Sequence, residues 1–175
     1  MRNRFDAVML FSAGFGTRMG ALTATRPKPL VPVAGRALID HALDLIADAG
    51  IARTVVNLHY LGDQIAAHLA GRPDTALSWE QDVILDTGAG LRAALPMLGD
   101  GPVYTLNPDA IWTGTNPLRT LEREWRPDMG ALLMLGHVDQ VRGRVGKGDF
   151  SLDAQGRITR GGDYLYLGAQ IIDPS

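Results

Sequence analysis

Ala7-Val8-Met9-Leu10-Phe11 followed at once by Ser12-Ala13-Gly14-Phe15-Gly16-Thr17-Arg18-Met19-Gly20 decides the fold of this 175-residue chain. The apolar run reads as a buried strand, and the glycine-bearing segment after it reads as a loop whose backbone amides can wrap an anion. From Ala7 to Ile39 the chain has four basic residues, Arg18, Arg26, Lys28 and Arg36, and no Asp or Glu. The formal net charge is -2. Positive potential is therefore concentrated where the glycines sit, as a polyphosphate site requires.

Working outward, Leu38, Ile39, Ala42, Leu43, Ile46 and Ala49 recur at helical spacing and Gly50 is a stop signal. Thr54 to Leu58 reads as a strand, Gln64 to Ala70 as a helix ending at Gly71, and Ala76 to Glu80 as a strand. Ala89 to Leu98 reads as a helix, Val103 to Leu106 as a short buried strand, Pro117 to Trp125 as a helix and Ala131 to Leu135 as a strand. This alternation predicts an α/β fold, a Rossmann-like three-layer sandwich with a mostly parallel central sheet. Beyond Gly136, strand-like pieces around Phe150, Ile158 and Tyr164 to Ile172 predict a small antiparallel extension. Ligands of such sheets bind at the carboxyl ends of the strands. The loops beginning at Ser12, Asn57, Gln81 and Asn107 are expected to meet there.

Composition narrows the partners. At 46% hydrophobic and 21% charged the chain is ordinary globular material, expected to form a single domain over 1–175. The slightly negative net charge gives no general attraction to nucleic acid, and no apolar run is long enough for a bilayer, so neither nucleic acid nor membrane is an expected partner. Without cysteine there is no disulfide, thiolate nucleophile or Cys-ligated zinc. A soluble cytoplasmic protein is the expectation.

Spacing separates the phosphate loops. The dinucleotide fingerprint needs G-x-G-x-x-G, whereas Gly14, Gly16 and Gly20 are one residue too widely spaced and the second strand ends in Asn57 rather than an acid. The Walker loop needs Gly-Lys followed by Ser or Thr, and the Gly146-Lys147 pair is followed by Gly148. What remains is Gly14-Phe15-Gly16-Thr17-Arg18-Met19, then Leu22-Thr23, Arg26-Pro27-Lys28-Pro29-Leu30 and Pro32-Val33-Ala34-Gly35.

This composite resembles the signature of the sugar-nucleotide pyrophosphorylases, which join a nucleoside triphosphate to a sugar 1-phosphate. Leu85-Asp86-Thr87-Gly88-Ala89-Gly90 and Asn107-Pro108-Asp109 are similar to that family's base loop and metal loop. Within the family, the chain looks most like the N-acetylmuramate 1-phosphate uridylyltransferases of peptidoglycan recycling, with mannose 1-phosphate guanylyltransferases next. The resemblance implies a nucleotide-diphospho-sugar transferase fold, with UTP and a sugar 1-phosphate as partners and Mg²⁺ as cofactor. Arg18 would hold the β- and γ-phosphates, and Lys28 the α-phosphate and incoming sugar phosphate. Ala13, Gly14, Phe15, Gly16 and Thr17, with Asp86, Thr87 and Gly88, would bind the nucleotide. Asn107 and Gly168 would bind the sugar, and Asp109 the metal.

Alternatives accompany these assignments: Arg18 and Lys28 also read as an exposed Gly-Arg loop and a solvated lysine. Asn107-Pro108-Asp109 also reads as a turn, Gly88 and Gly90 as helix-start glycines, and Gly168 as a strand glycine that relieves packing. Pro108 stands where the family usually has Gly, which removes an amide donor. His41, His59, His68 and His137 have no repeated metal-ligand spacing and are expected to be structural, His59 being best placed for more. Trp79, Trp112 and Trp125 are expected to pack. The family's second metal carboxylate follows the strand that Tyr164 to Ile172 resembles, and Arg160-Gly161-Gly162-Asp163 replaces its usual Glu-Lys pair. The expectation is a chain truncated at its C-terminus, better at binding nucleotide than at turnover. A noncatalytic nucleotide-sugar sensor on the same fold is the competing function.

Overall fold

The computed structural model describes residues 5–142 and 147–175, so Gly146 of the Gly146-Lys147 pair lies outside the described residues. Strand β1 (Ala7–Leu10) is buried on both faces: Ala7 and Met9 join one apolar cluster, Val8 and Leu10 the other. A strand read by two cores must be apolar throughout, and this explains the uninterrupted run in the sequence. The chain then forms a 3₁₀ segment at Thr17–Thr23, another at Lys28–Leu30, and a hairpin of β2 (Pro32–Val33) and β3 (Arg36–Ala37). Helix α1 (Leu38–Ala49) stops at Gly50, which takes the left-handed conformation at φ 71°.

The alternation continues through β4 (Arg53–Leu58), α2 (Gly62–His68), β5 (Thr75–Trp79), α3 (Thr87–Leu98), β6 (Val103–Leu106) and α4 (Pro117–Glu124). Strands β5, β4, β1 and β6 lie side by side in that order and all pair parallel. Residues of α1, α2 and α4 pack with Val8, Leu10, Val56 and Leu106 on one face. Leu91, Ala94 and Leu98 of α3 pack with Met9 and Val55 on the other. These are the three expected layers. Because β4 and β6 flank β1 on opposite sides, the order of the chain reverses at β1, and the reversal leaves a crevice above the ends of β1 and β6.

The sheet does not end at β6. The nine-residue β10 (Tyr164–Ile172) runs antiparallel to β6 along one edge and to β7 (Ala131–His137) along the other. A hairpin of β8 (Gly148–Leu152) and β9 (Ile158–Gly162) attaches through Phe150 opposite Tyr164. Residues 131–135, read from the sequence as the next strand of the alternation, thus belong to the antiparallel part, in a strand that runs on to His137. The extension is continuous with the parallel sheet. Between Tyr166 and Gln170 the β10–β7 register shifts, and Gly168 sits in that irregularity at φ +85°.

Candidate functional site

The loop after β1 turns over the sheet edge because Gly16 takes φ 65°, ψ 24° ahead of the first 3₁₀ segment. A Cβ on Gly16 would lie 3.0 Å from Lys28 Cβ and 3.1 Å from Thr23 Cγ2, so a side chain there would crowd both residues in a left-handed conformation that favours glycine. Thr23 Oγ1 donates to the Gly16 carbonyl at 3.0 Å and lies 3.2 Å from that of Gly20. Tyr60, after β4, donates its hydroxyl to the Thr23 carbonyl at 2.9 Å, and His59 turns its ring edge-on to Phe15 with centroids 5.6 Å apart. His59 Nδ1 donates to the Glu80 carbonyl at 2.7 Å. Its part is to brace the first loop.

Those contacts hold the loop from behind. Among the described residues, no backbone carbonyl outside helices and strands accepts from the amides of Gly14, Phe15 or Gly16. Arg18 is exposed, while Lys28 is half-buried and forms an ion pair with Asp109 Oδ2 at the end of β6. Together they border a cleft of about 450 Å³, within the usual range for small-molecule sites.

The cleft gathers residues from four separate loops. Ala13, Gly14, Phe15, Gly16, Thr17, Arg18, Lys28, Thr87, Asn107 and Asp109 all line it. Asp86 and Gly88 do not; they border an adjoining depression with Leu85 and Arg92. The reason is helix capping: Asp86 is the N-cap of α3, its carboxylate accepting from Ala89 N at 2.7 Å. Gly168 is absent from the lining but touches it through Asn107, whose amide donates to the Gly168 carbonyl at 2.8 Å. A Cβ on Gly168 would approach Asn107 Cβ to 3.0 Å, so this glycine is needed both for its conformation and for room. Pro108 is buried and lines the cleft beside them.

Proximity in sequence overstates the positive charge at the cleft. Of the four basic residues in the acid-free stretch, only Arg18 and Lys28 line it. Arg36 turns onto α1 and meets Asp44 at 2.6 Å, an exposed pair that raises the guanidinium's pKa and lowers the carboxyl's through their hydrogen bond.

Ser12, Asn57 and Leu85 are among the lining residues to which the sequence assigns no role. Ser12 donates its amide to Asn57 Oδ1 at 2.7 Å, and its buried hydroxyl has no hydrogen-bond partner among the described residues. Asn57 donates in turn to the buried Glu80 at 2.7 Å. Leu85 reaches the cleft from the loop after β5. The available signal was the polar residue closing each apolar strand, Asn57 on one and Glu80 on the next.

The histidines outside the cleft each have a partner of their own. His41 bonds the Val33 carbonyl, His68 meets Asp40, and His137 lies near Asp139. Among the described residues no three His, Cys, Asp or Glu side chains cluster as a metal-binding group. Trp112 and Trp125 pack on the larger core, and half-exposed Trp79 lies over Gly62. Burial pushes the Tyr166 phenol up to about 12, well away from neutral proton chemistry.

A glycine loop, two cations and a carboxylate around the reversal point of an open α/β sheet form a site suited to the phosphates of a nucleotide. The chain belongs to the MobA-like NTP transferase family, whose model matches residues 8–147. The N-acetylmuramate alpha-1-phosphate uridylyltransferase of Caulobacter vibrioides is 39% identical over 95% of this chain and 74% of its own length. The protein of the same name from Neisseria meningitidis serogroup B is 40% identical, over 59% of this chain and 46% of its own length. Among solved structures, HddC from Yersinia pseudotuberculosis complexed with GMP-PN superposes with a TM-score of 0.72, at 18% identity over 95% of this chain and 76% of that one. UDP-glucose pyrophosphorylase complexed with UDP-glucose gives 0.73, at 15% identity over 98% of this chain and 77% of that one. At such identities the solved structures speak for the fold alone. No helix among the described residues is long and apolar enough to cross a membrane.

Proposed function

We propose that residues 1–175 form a single nucleotidyltransferase domain, acting in the cytoplasm in peptidoglycan recycling, that transfers uridylyl from UTP to N-acetylmuramate 1-phosphate. A phosphate oxygen of the sugar 1-phosphate attacks the α-phosphorus, the bond to the β-phosphate oxygen breaks, and pyrophosphate leaves. The observation that carries this reading is the meeting of Arg18, Lys28, Asp109 and the amides of Gly14 to Gly16 at one cleft. The relatives from Caulobacter and Neisseria supply the choice of base and sugar.

The reaction brings two polyanions together. Unit charges 4 Å apart interact by about 4 kcal/mol at an effective dielectric near 20, and each ~1.4 kcal/mol of barrier is a factor of ten. Cancelling that repulsion supplies most of the rate, and no covalent nucleophile is needed. Arg18, with its planar fork, suits the β- and γ-phosphates and the departing pyrophosphate. Lys28, a compact charge on a flexible stem, turns from Asp109 toward the α-phosphate and the incoming sugar phosphate. Pro27 and Pro29 restrict the backbone on either side of that lysine. Asn107 and Gly168 take the sugar; the base lies against Ala13, Gly14 and the loop leading through Asp86 and Thr87 to Gly88.

A Mg²⁺ ion fits this donor set. It takes one or two carboxylates and completes its shell with phosphates and waters, and the exposed Asp109 at the cleft offers one carboxylate. Asp109 would hold the ion, which supplies further neutralisation of the triphosphate. Glu80 is unsuited, being buried and outside the cleft lining.

Pyrophosphate release measured while crossing UTP, GTP, CTP and dTTP against several sugar 1-phosphates tests the proposal. Turnover is expected with UTP and N-acetylmuramate 1-phosphate. A preference for GTP with mannose 1-phosphate would reassign the substrates, and silence of every pair with nucleotide still bound would favour the sensor.

A further inference from the structure

Glu80 is buried, with 6% of its surface exposed, at the end of β5, yet its carboxylate joins three loops. Oε1 accepts from Asn57 Nδ2 at 2.7 Å, and Oε2 accepts from Leu85 N at 2.8 Å, closing residues 81–84 into a short arch. Asn57 Oδ1 accepts from Ser12 N at 2.7 Å. The wire thus runs from the loop after β1, through the end of β4, to the loop that carries Ile84 and Leu85 into the cleft. The first turn of α3 closes over it: a Cβ on Gly90 would lie 3.0 Å from Glu80 Oε1 and 3.3 Å from Asn57 Nδ2.

The polarity of this wire admits one kind of side chain. Ser12 N–H can only donate, so Asn57 must present its oxygen there and its amino group to residue 80; Leu85 N–H also donates. Residue 80 must therefore accept twice and donate nowhere, which a carboxylate does and a carboxamide does not. A glutamine would set a donor against a donor at one end, and the other end could not compensate. Buried hydrogen bonds to a charged group are also the strong ones, and such a carboxylate holds its donors in fixed geometry.

We propose that Glu80 is the positioning residue that sets the distance between the first loop and the loop after β5, and so shapes the slot that receives the pyrimidine ring of the nucleotide. This rests on the nucleotide-transfer reading above. It deepens that reading by separating the recognition of base from the recognition of phosphate. Glu80 governs the base side through Asn57 and Leu85, while Arg18 and the amides of Gly14 to Gly16 act on phosphate without it.

Calorimetric titration of the whole chain with UTP and with inorganic tripolyphosphate, which has no base, distinguishes the two. In the E80Q variant, affinity for UTP is expected to fall by about tenfold while that for tripolyphosphate stays within about twofold, and amide exchange at Leu85 is expected to accelerate. Glu80→Asp keeps two acceptor oxygens on a shorter stem and is expected to retain more UTP affinity than E80Q. If E80Q loses cooperative unfolding, Glu80→Asp carries the same two titrations and the same criterion against the unaltered chain. Unchanged UTP affinity overturns the inference, as do equal losses for UTP and tripolyphosphate, which mark a merely structural residue. Failure of the unaltered chain to bind UTP would defeat the functional reading itself; normal UTP binding with an indifferent E80Q variant defeats this inference alone.

Discussion

The loop after β1 and the loop after β5 border the same cleft but are built on opposite principles. The first, from Gly14 to Arg18, is largely exposed and is held from behind by Thr23, Tyr60 and His59. The second is tied from within by the buried carboxylate of Glu80. A polyphosphate is recognised by charge and by many equivalent oxygens, so donors left unpaired serve it well. A flat base is recognised by shape and a few directional bonds, which demand a wall at fixed distance. The contrast teaches that one site can need vacancy on one side and rigidity on the other.

The largest expected effect tests the charged side. Arg18→Ala should lower turnover by about a hundredfold to a thousandfold, in line with loss of a preorganised donor to transition-state charge, while UTP affinity falls far less. Equal losses in steady-state rate and in calorimetric affinity would break the distinction and favour a sensor. Asp109→Asn should follow, with turnover down by about a hundredfold and the Mg²⁺ dependence of UTP binding flattened. A magnesium titration at fixed UTP reads that directly.

Smaller effects sharpen the comparison by lying outside both loops. Gly168→Ala forces an unfavourable φ of +85° and crowds Asn107, so the KM for the sugar phosphate should rise by about tenfold with that for UTP unchanged. The smallest concerns the scaffold. Asp48, near the end of α1, is held below its ordinary pKa of 3.8 by hydrogen bonds from Asn116 and then Arg119 on the α4 side. A depressed carboxyl stabilises the fold above its unfolded pKa and loses that contribution as pH falls through its folded value. The difference in Tm between the unaltered chain and an Asp48→Asn variant should therefore persist above pH 3.8 and shrink below it.

Much of the architecture was legible because burial writes itself into periodicity. The predicted helix over residues 38–49 matches α1, and Val103 to Leu106 coincides with β6. Helix α2 begins two residues before its apolar pattern, because Leu61 adopts φ 49° and turns the chain early. The 3₁₀ segments at Thr17–Thr23 and Lys28–Leu30 left no periodic trace, the first being largely exposed and the second only three residues long. Residues 131–135 read as a strand, but the antiparallel partner is β10, where Ile172 pairs with Ala131 and Tyr164 with His137, a long-range pairing that local pattern does not encode.

The same division runs through the site. From sequence alone came the glycine loop and the acid-free stretch around it, and the resemblance carried by its motifs pointed to Arg18 and Lys28, since residue type and local order decide which groups can meet an anion at all. Only tertiary structure decided that Lys28 faces Asp109 from 81 residues away, that Arg36 leaves for Asp44, and that Asn57 and Glu80 join the loops between them. Charge belongs to a residue, but the field it makes depends on which neighbours the fold brings within a few ångströms.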